Sequence, residues 1–209
     1  MKIRNILVAL LLGAASLQVS AQSGNMSFLS SSHCMMRAES NSRYVLLPVQ
    51  ESAEITNVKV IVNSNVVKTL NVRLAADKID YYVPFDMSEL AGKKVLFDFH
   101  VNGVEGKSTA MKDYACWKNI SYSDTFDTAN REKFRPAYHH TPVYGWMNDP
   151  NGMFYKDGVY NLYYQYNPYG SQWENMTWGH SSSRDLVNWT DEGLAIEPDG
   201  LGTISVSYT

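Results

Sequence analysis

Asp149 is the residue of this sequence best placed to do chemistry. It stands in Asn148-Asp149-Pro150-Asn151-Gly152, where Pro fixes φ, Gly supplies positive φ, and Asn or Asp side chains bond their own backbone; its carboxylate therefore sits in a tight turn. Two strand-like stretches follow, Met153 to Tyr155 and Val159 to Tyr166, joined across the hairpin signal Lys156-Asp157-Gly158. In the second stretch, alternation puts Val159, Asn161, Tyr163 and Gln165 on one face and Tyr160, Leu162, Tyr164 and Tyr166 on the other. Asn167-Pro168-Tyr169-Gly170 closes the strand, and Trp173 lies on the next loop. A carboxylate in a turn, an amide from the adjoining strand and an indole suit a sugar ring. Carboxylates and amides match hydroxyl groups, and an aromatic face covers the apolar side of the ring.

The aromatic residues concentrate around this segment. Of 14 Tyr and five Trp, eight Tyr fall between Tyr138 and Tyr169 and four Trp between Trp146 and Trp189. Tyr160, Leu162 and Tyr164 are expected to face a core.

Upstream, the region 25–115 reads as all-β. Stretches rich in β-branched and aromatic residues recur between turn signals: Tyr44 to Val49, Val58 to Val62, Val66 to Leu74, Ile79 to Phe85 and Val95 to Val101. In the last, Val95, Phe97, Phe99 and Val101 share one face while Asp98 and His100 point the other way, before an Asn102-Gly103 turn. Hairpins at this spacing fit a β-sandwich-like domain. His100 is expected to face solvent, without a partner of metal-site spacing. Residues 116–135, with closely spaced charges, read as a connector, and 136–209 as a second domain.

Lys2 and Arg4 precede the apolar run Ile6 to Leu12 and then Val19-Ser20-Ala21. That order of parts is an export signal cleaved after about Ala21, leaving the protein periplasmic, cell-surface or secreted. The apolar run falls short of the roughly 20 residues that span a bilayer, so no transmembrane segment is expected. Cleavage removes Lys2 and Arg4 from the 18 basic residues, leaving 16 against 21 acidic and a formal charge of −5. With no basic run and no phosphate loop, nucleic acid is disfavoured as a partner. Export permits Cys34 and Cys116 to pair; two buried free thiols fit the spacing equally well. His139 and His140 read as structural. Asn25, Asn119, Asn175 and Asn188 begin Asn-X-Ser/Thr sequons, weak signals for glycosylation.

Four motifs in order carry a resemblance: Trp146-Met147-Asn148-Asp149-Pro150-Asn151-Gly152, Tyr164-Gln165-Tyr166-Asn167-Pro168, Trp178-Gly179-His180 and Asp185-Leu186-Val187-Asn188-Trp189. They resemble glycoside hydrolase family 32, the β-fructosidases (levanase, inulinase, invertase), over about residues 134–202. The upstream domain resembles the small β-domain of some exported bacterial members. The resemblance implies an all-β architecture in which the sandwich is followed by the first one to two blades of a five-bladed β-propeller. It also implies a fructan or sucrose-type substrate and no metal or organic cofactor. It places the nucleophile on Asp149 and a fructose subsite on Asn148, Gln165 and Trp173, with Trp178 supporting. The chemistry it implies is the retaining two-carboxylate mechanism, with the two carboxyl groups about 5–5.5 Å apart.

The acid partner does not occur. Family members carry it in a Glu-Cys motif, and a further Asp in Arg-Asp-Pro; here no Glu precedes Cys, and Arg184-Asp185 is followed by Leu186. Glu174, beside Trp173, reads as a rim carboxylate. Five four-stranded blades need at least roughly 200 residues, and Pro136 to Thr209 offers 74. After Gly202-Thr203-Ile204 the chain leaves the family's Phe-Ser-Gly-Ser for Ser205-Val206-Ser207, a change that one lost base would produce. A shifted or prematurely ended reading frame is therefore expected, and with it no catalysis at this length. The alternative is a non-catalytic fructan-binding or interaction module.

Overall fold

The computed structural model describes residues 25–38, 41–101, 110–128 and 135–197. The expected export signal, the expected Asn102-Gly103 turn and the closing residues 198–209 lie outside the described residues. Among the described residues no helix is long and apolar enough to cross a membrane.

The chain is all-β. Its strands are β1 (Met26–Ser30), β2 (His33–Ala38), β3 (Tyr44–Val49), β4 (Thr56–Val62), β5 (Asn65–Val72), β6 (Tyr81–Asp86), β7 (Val95–Val101), β8 (Ser121–Ser123), β9 (Trp146–Met147), β10 (Gly152–Lys156), β11 (Val159–Asn167), β12 (Thr177–Ser183) and β13 (Trp189–Ile196). The first unit packs a five-stranded antiparallel sheet, ordered β1-β2-β7-β4-β5, against a three-stranded sheet ordered β6-β3-β8. Alternation explains the seam. Val95, Phe97, Phe99 and Val101 turn inward and are buried, and Phe97 meets Phe85 of the other sheet edge-on, ring centroids 5.3 Å apart. An edge-to-face pair of this kind adds about 0.5–1.5 kcal/mol to what area burial supplies.

Strands β3 and β7 coincide with the sequence reading, and β4, β5 and β6 shift by one or two residues at their ends. Three strands of the first unit escaped it. His33–Ala38 lacks any β-branched residue, Met26–Ser30 is short and mostly exposed, and Ser121–Ser123 is only three residues long.

The expected connector begins as part of the sandwich. Cys116, Trp117 and Ile120 are buried in its core, β8 pairs with β3, and Trp117 donates its indole N–H to the Met111 carbonyl at 2.5 Å. A short 3-10 turn, Ala115–Lys118, reverses the chain there. Cys34 and Cys116 are both buried free thiols, and burial pushes the Cys34 thiol up to about 12.

The second unit is one antiparallel meander, β10-β11-β12-β13, with β9 also paired to β11. Leu162, Tyr164 and Tyr166 form its buried cluster, packed by Met147, Trp189 and Leu194. Tyr164 requires a glycine opposite: a Cβ at Gly179 would come within 2.5 Å of its ring. His140 covers the same face, 2.9 Å from the Ser181 hydroxyl and 5.1 Å from the Tyr164 and Trp189 rings. Its expected structural role is the one it has.

Candidate functional site

The segment holding β9, Asn148 to Asn151, and β10 runs along a single side of β11. Trp146 and Met147 pair with Asn167 and Tyr166, and Gly152 to Lys156 pair with Tyr163 to Val159. Between them the ladder continues for one step: the Asn148 N–H donates to the Gln165 carbonyl at 3.0 Å, and the Gln165 N–H donates to the Asp149 carbonyl at 3.2 Å. Pro150 has no N–H to contribute, so the chain leaves the ladder and returns at Gly152. The departure works as a bulge does, re-aiming a side chain out of the sheet line.

Four of the five expected site residues come together on this frame. Asp149 and Asn148 are exposed. The Asn148 amide donates to the Gln165 side-chain oxygen at 3.3 Å, and Gln165 lies directly opposite Trp178 in the β11–β12 register. A Cβ at Gly152 would sit 3.7 Å from the Trp178 ring, an ordinary packing distance, so the residue that closes the turn lies against the indole. The exposed turn thus presents a carboxylate beside two amides and a half-buried indole.

Trp173 is placed differently. It lies on the loop between β11 and β12 and is 54% exposed; among the described residues no hydrogen bond or ring contact joins it to the other four. Its loop is anchored on the first unit. Tyr169 is buried in the sandwich core, stacked on Phe85 at 6.3 Å. Asn175, 1% exposed, accepts from the Asn71 N–H at 2.6 Å and donates to the Asn71 carbonyl at 2.7 Å. It therefore pairs with a β5 residue as a strand neighbour would. Its buried amide rules out glycan attachment in the folded chain.

Glu174 accepts from the Asn71 amide at 2.9 Å. The expected rim carboxylate is thus a bond between the two units. Glu51 makes a second such bond, accepting from Ser171 at 2.6 Å, Gln172 at 2.7 Å and the Tyr81 hydroxyl. Burial alone would raise the Glu51 carboxyl; the hydrogen bonds from Ser171, Tyr81 and Gln172 outweigh it and bring the group below the usual range. Nothing local in the sequence signals these contacts, whose partners lie more than 100 residues apart.

Asp185 is a turn residue. It accepts from the backbone N–H groups of Asn188 at 2.7 Å and Val187 at 2.9 Å, and from the Asn188 amide at 2.7 Å, which hold it well below the usual carboxylate range.

With this arrangement in place, the comparisons with known proteins follow its two units. A domain of unknown function, DUF4980, matches residues 30–138, and the glycosyl hydrolases family 32 N-terminal domain matches residues 139–209. The chain belongs to the DUF4980 family and continues into family 32.

The family 32 segment is 58% identical over 73 residues to the levanase of Bacillus subtilis, covering 35% of this chain and 11% of that protein. It is 56% identical over 66 residues to a fructan 6-exohydrolase of Triticum aestivum, covering 31% and 11%. The crystal structure of the exo-inulinase from Aspergillus awamori matches at 46% identity and a TM-score of 0.32, covering 32% of this chain and 13% of that one. The chain therefore spans about a tenth of the length of the curated relatives it matches.

Proposed function

We propose that this chain is the N-terminal part of an exported β-fructosidase, in which Asp149 is the nucleophile that attacks the anomeric carbon of a fructosyl unit. The observation that carries this reading is the bulge between β9 and β10. Two backbone bonds to Gln165 tie down the peptide of an exposed carboxylate, and the Asn148 and Gln165 amides stand beside it to meet sugar hydroxyls. In this reading Trp178 supports the subsite, and Trp173 closes it from the loop anchored on the sandwich. The meander β10 to β13 is the first blade of the propeller. A fructan or sucrose-type carbohydrate is the substrate class.

The retaining reaction needs a second carboxyl group to protonate the leaving oxygen and later to deprotonate water. No Glu-Cys segment occurs in these 209 residues. Turnover is accordingly a property of a chain that also supplies that acid.

Purified protein incubated with levan, inulin and sucrose is expected to release no reducing sugar. The same sequence continued through a Glu-Cys segment is expected to do so, and Asp149→Asn there lowers kcat by several orders of magnitude. Full turnover by the Asp149→Asn variant of that extended protein would remove Asp149 from the role. Release of sugar by these 209 residues, abolished by Asp149→Asn, would keep the role and overturn the need for a missing acid.

A further inference from the structure

The outer face of the five-stranded sheet carries a cluster that the family 32 segment does not use. In the β2–β7 ladder His33 lies directly opposite His100, and Asp98 sits two residues before His100 on the same face. The Nε2 of His33 is 2.6 Å from Asp98 Oδ1, and the Nε2 of His100 is 3.2 Å from the same oxygen. The two imidazole rings stack at a centroid distance of 3.9 Å, tilted by 25°. His100 does face solvent, its side chain 40% exposed, but the expectation that no histidine or carboxylate accompanies it is corrected: its partners are the carboxylate two residues away and a histidine brought in by strand pairing.

Two features of this cluster point to a ligand. Asp98 is only 8% exposed although it lies on the solvent face of the sheet, with Lys59 beside it and Asn57 beside His100 in the β4–β7 register. Second, one donor atom from each of the three residues falls within 4.8 Å of the other two. Two imidazole nitrogens and a carboxylate oxygen are the donor set of a late first-row divalent ion, whereas Mg²⁺ and Ca²⁺ take oxygen. Bonds of about 2.0–2.2 Å to a tetrahedral ion set neighbouring donors roughly 3.3 Å apart. The His100–Asp98 separation already matches, and the His33–Asp98 separation, 2.6 Å, has to open by roughly 0.7 Å.

We propose that His33, Asp98 and His100 form a Zn²⁺-type metal site on the DUF4980 sheet, clipping β2 to β7. The His100 side chain is 40% exposed, which leaves the fourth position open to water. Lys59 is the cationic neighbour that opposes the ion, and it is exposed, so its ammonium can turn into solvent. The site is independent of the proposed fructosidase role, because none of its residues belongs to the family 32 segment.

Calorimetric titration of the chelator-stripped 209-residue protein with Zn²⁺ tests it. One equivalent per chain and a rise in Tm are expected, with no response to Mg²⁺. His100→Ala and His33→Ala are each expected to weaken binding by more than the roughly 10- to 100-fold that loss of a merely supporting contact costs. His139→Ala, outside the cluster, leaves the affinity unchanged. Co²⁺ in the unmutated protein is expected to give the absorption of a nitrogen- and oxygen-ligated tetrahedral ion, a reading that does not depend on any variant folding. No saturable Zn²⁺ binding, unchanged affinity in the His33→Ala/His100→Ala double variant, or a thiolate charge-transfer band from Cys34 or Cys116 would each overturn the proposal.

Discussion

The two units of this chain hold themselves together in opposite ways. The sandwich has an inside: Phe85, Phe97, Phe99, Leu47 and Leu74 are buried between two sheets. The second unit is one sheet. It buries Leu162, Tyr164 and Tyr166 on one face and leaves Met153, Phe154 and Tyr155 of the edge strand β10 at 63, 48 and 62% exposure. A core closed on both sides supplies stability of its own. A half-covered sheet has to lean on something, and here it leans on the sandwich through the Tyr169–Asn175 loop. The carboxylate turn lies in the unit with less stability to spare, held by its bonds to Gln165 of the same sheet.

The largest expected effect tests that contrast directly. Phe97→Ala empties the seam between the two sheets and is expected to cost about 3–5 kcal/mol. That is a large share of the total for a domain of this size, and thermal unfolding followed by near-UV circular dichroism is expected to lose its main transition. Leu162→Ala removes a residue whose surroundings are free to relax, and is expected to cost about 2 kcal/mol, the low end for such truncations. Equal losses would mean that the second sheet is as well packed as the first.

Much of the sandwich was legible because alternation is a local signal. Val95 to Val101 shows which face turns inward from seven residues alone, and burial follows it everywhere except at Asp98, which is buried on the outward face. His33–Ala38 was not legible: its His, Cys, Met and Arg residues lack strand bias, and pairing with β7 is what makes it a strand. The same pairing hid the histidine cluster, since His33 and Asp98 are 65 residues apart. At the candidate site, Asn148, Asp149 and Gln165 were legible because turn and strand are close in sequence. Trp173 was placed in one pocket with them by sequence proximity, whereas the structure ties its loop to the sandwich.

Asn175→Ala breaks the clamp at its most buried point. The side chain that satisfies both backbone groups of Asn71 disappears, and a buried group left unpaired costs about 1–3 kcal/mol. Asn175 also holds a positive φ of 45°, which alanine tolerates poorly. In calorimetry the two units are expected to melt as separate transitions, with the sandwich transition unmoved. A single transition lowered as a whole would show that the units fold as one cooperative block, and the contrast between them would weaken.

The clamp's other half makes the smallest and most specific prediction. Because the Glu51 carboxyl is lowered in the folded chain, folding holds it ionised where the unfolded chain would already take up a proton. Its stabilisation is fully present above the unfolded value of about 4.3 and is lost as pH falls through that value toward the lower folded one. Ser171 and Gln172 are exposed, so solvent screening keeps the contribution to about 1 kcal/mol or less. Glu51→Gln is therefore expected to lower the Tm of the second unit slightly at pH 7. It is expected to flatten that unit's acid-side loss of stability between about pH 5 and 3, and to leave the sandwich's acid response as it was. If the sandwich's acid response flattens instead, Glu51 acts through Tyr81 within the first unit, and the Tyr169–Asn175 loop owes its position to Tyr169, Glu174 and Asn175.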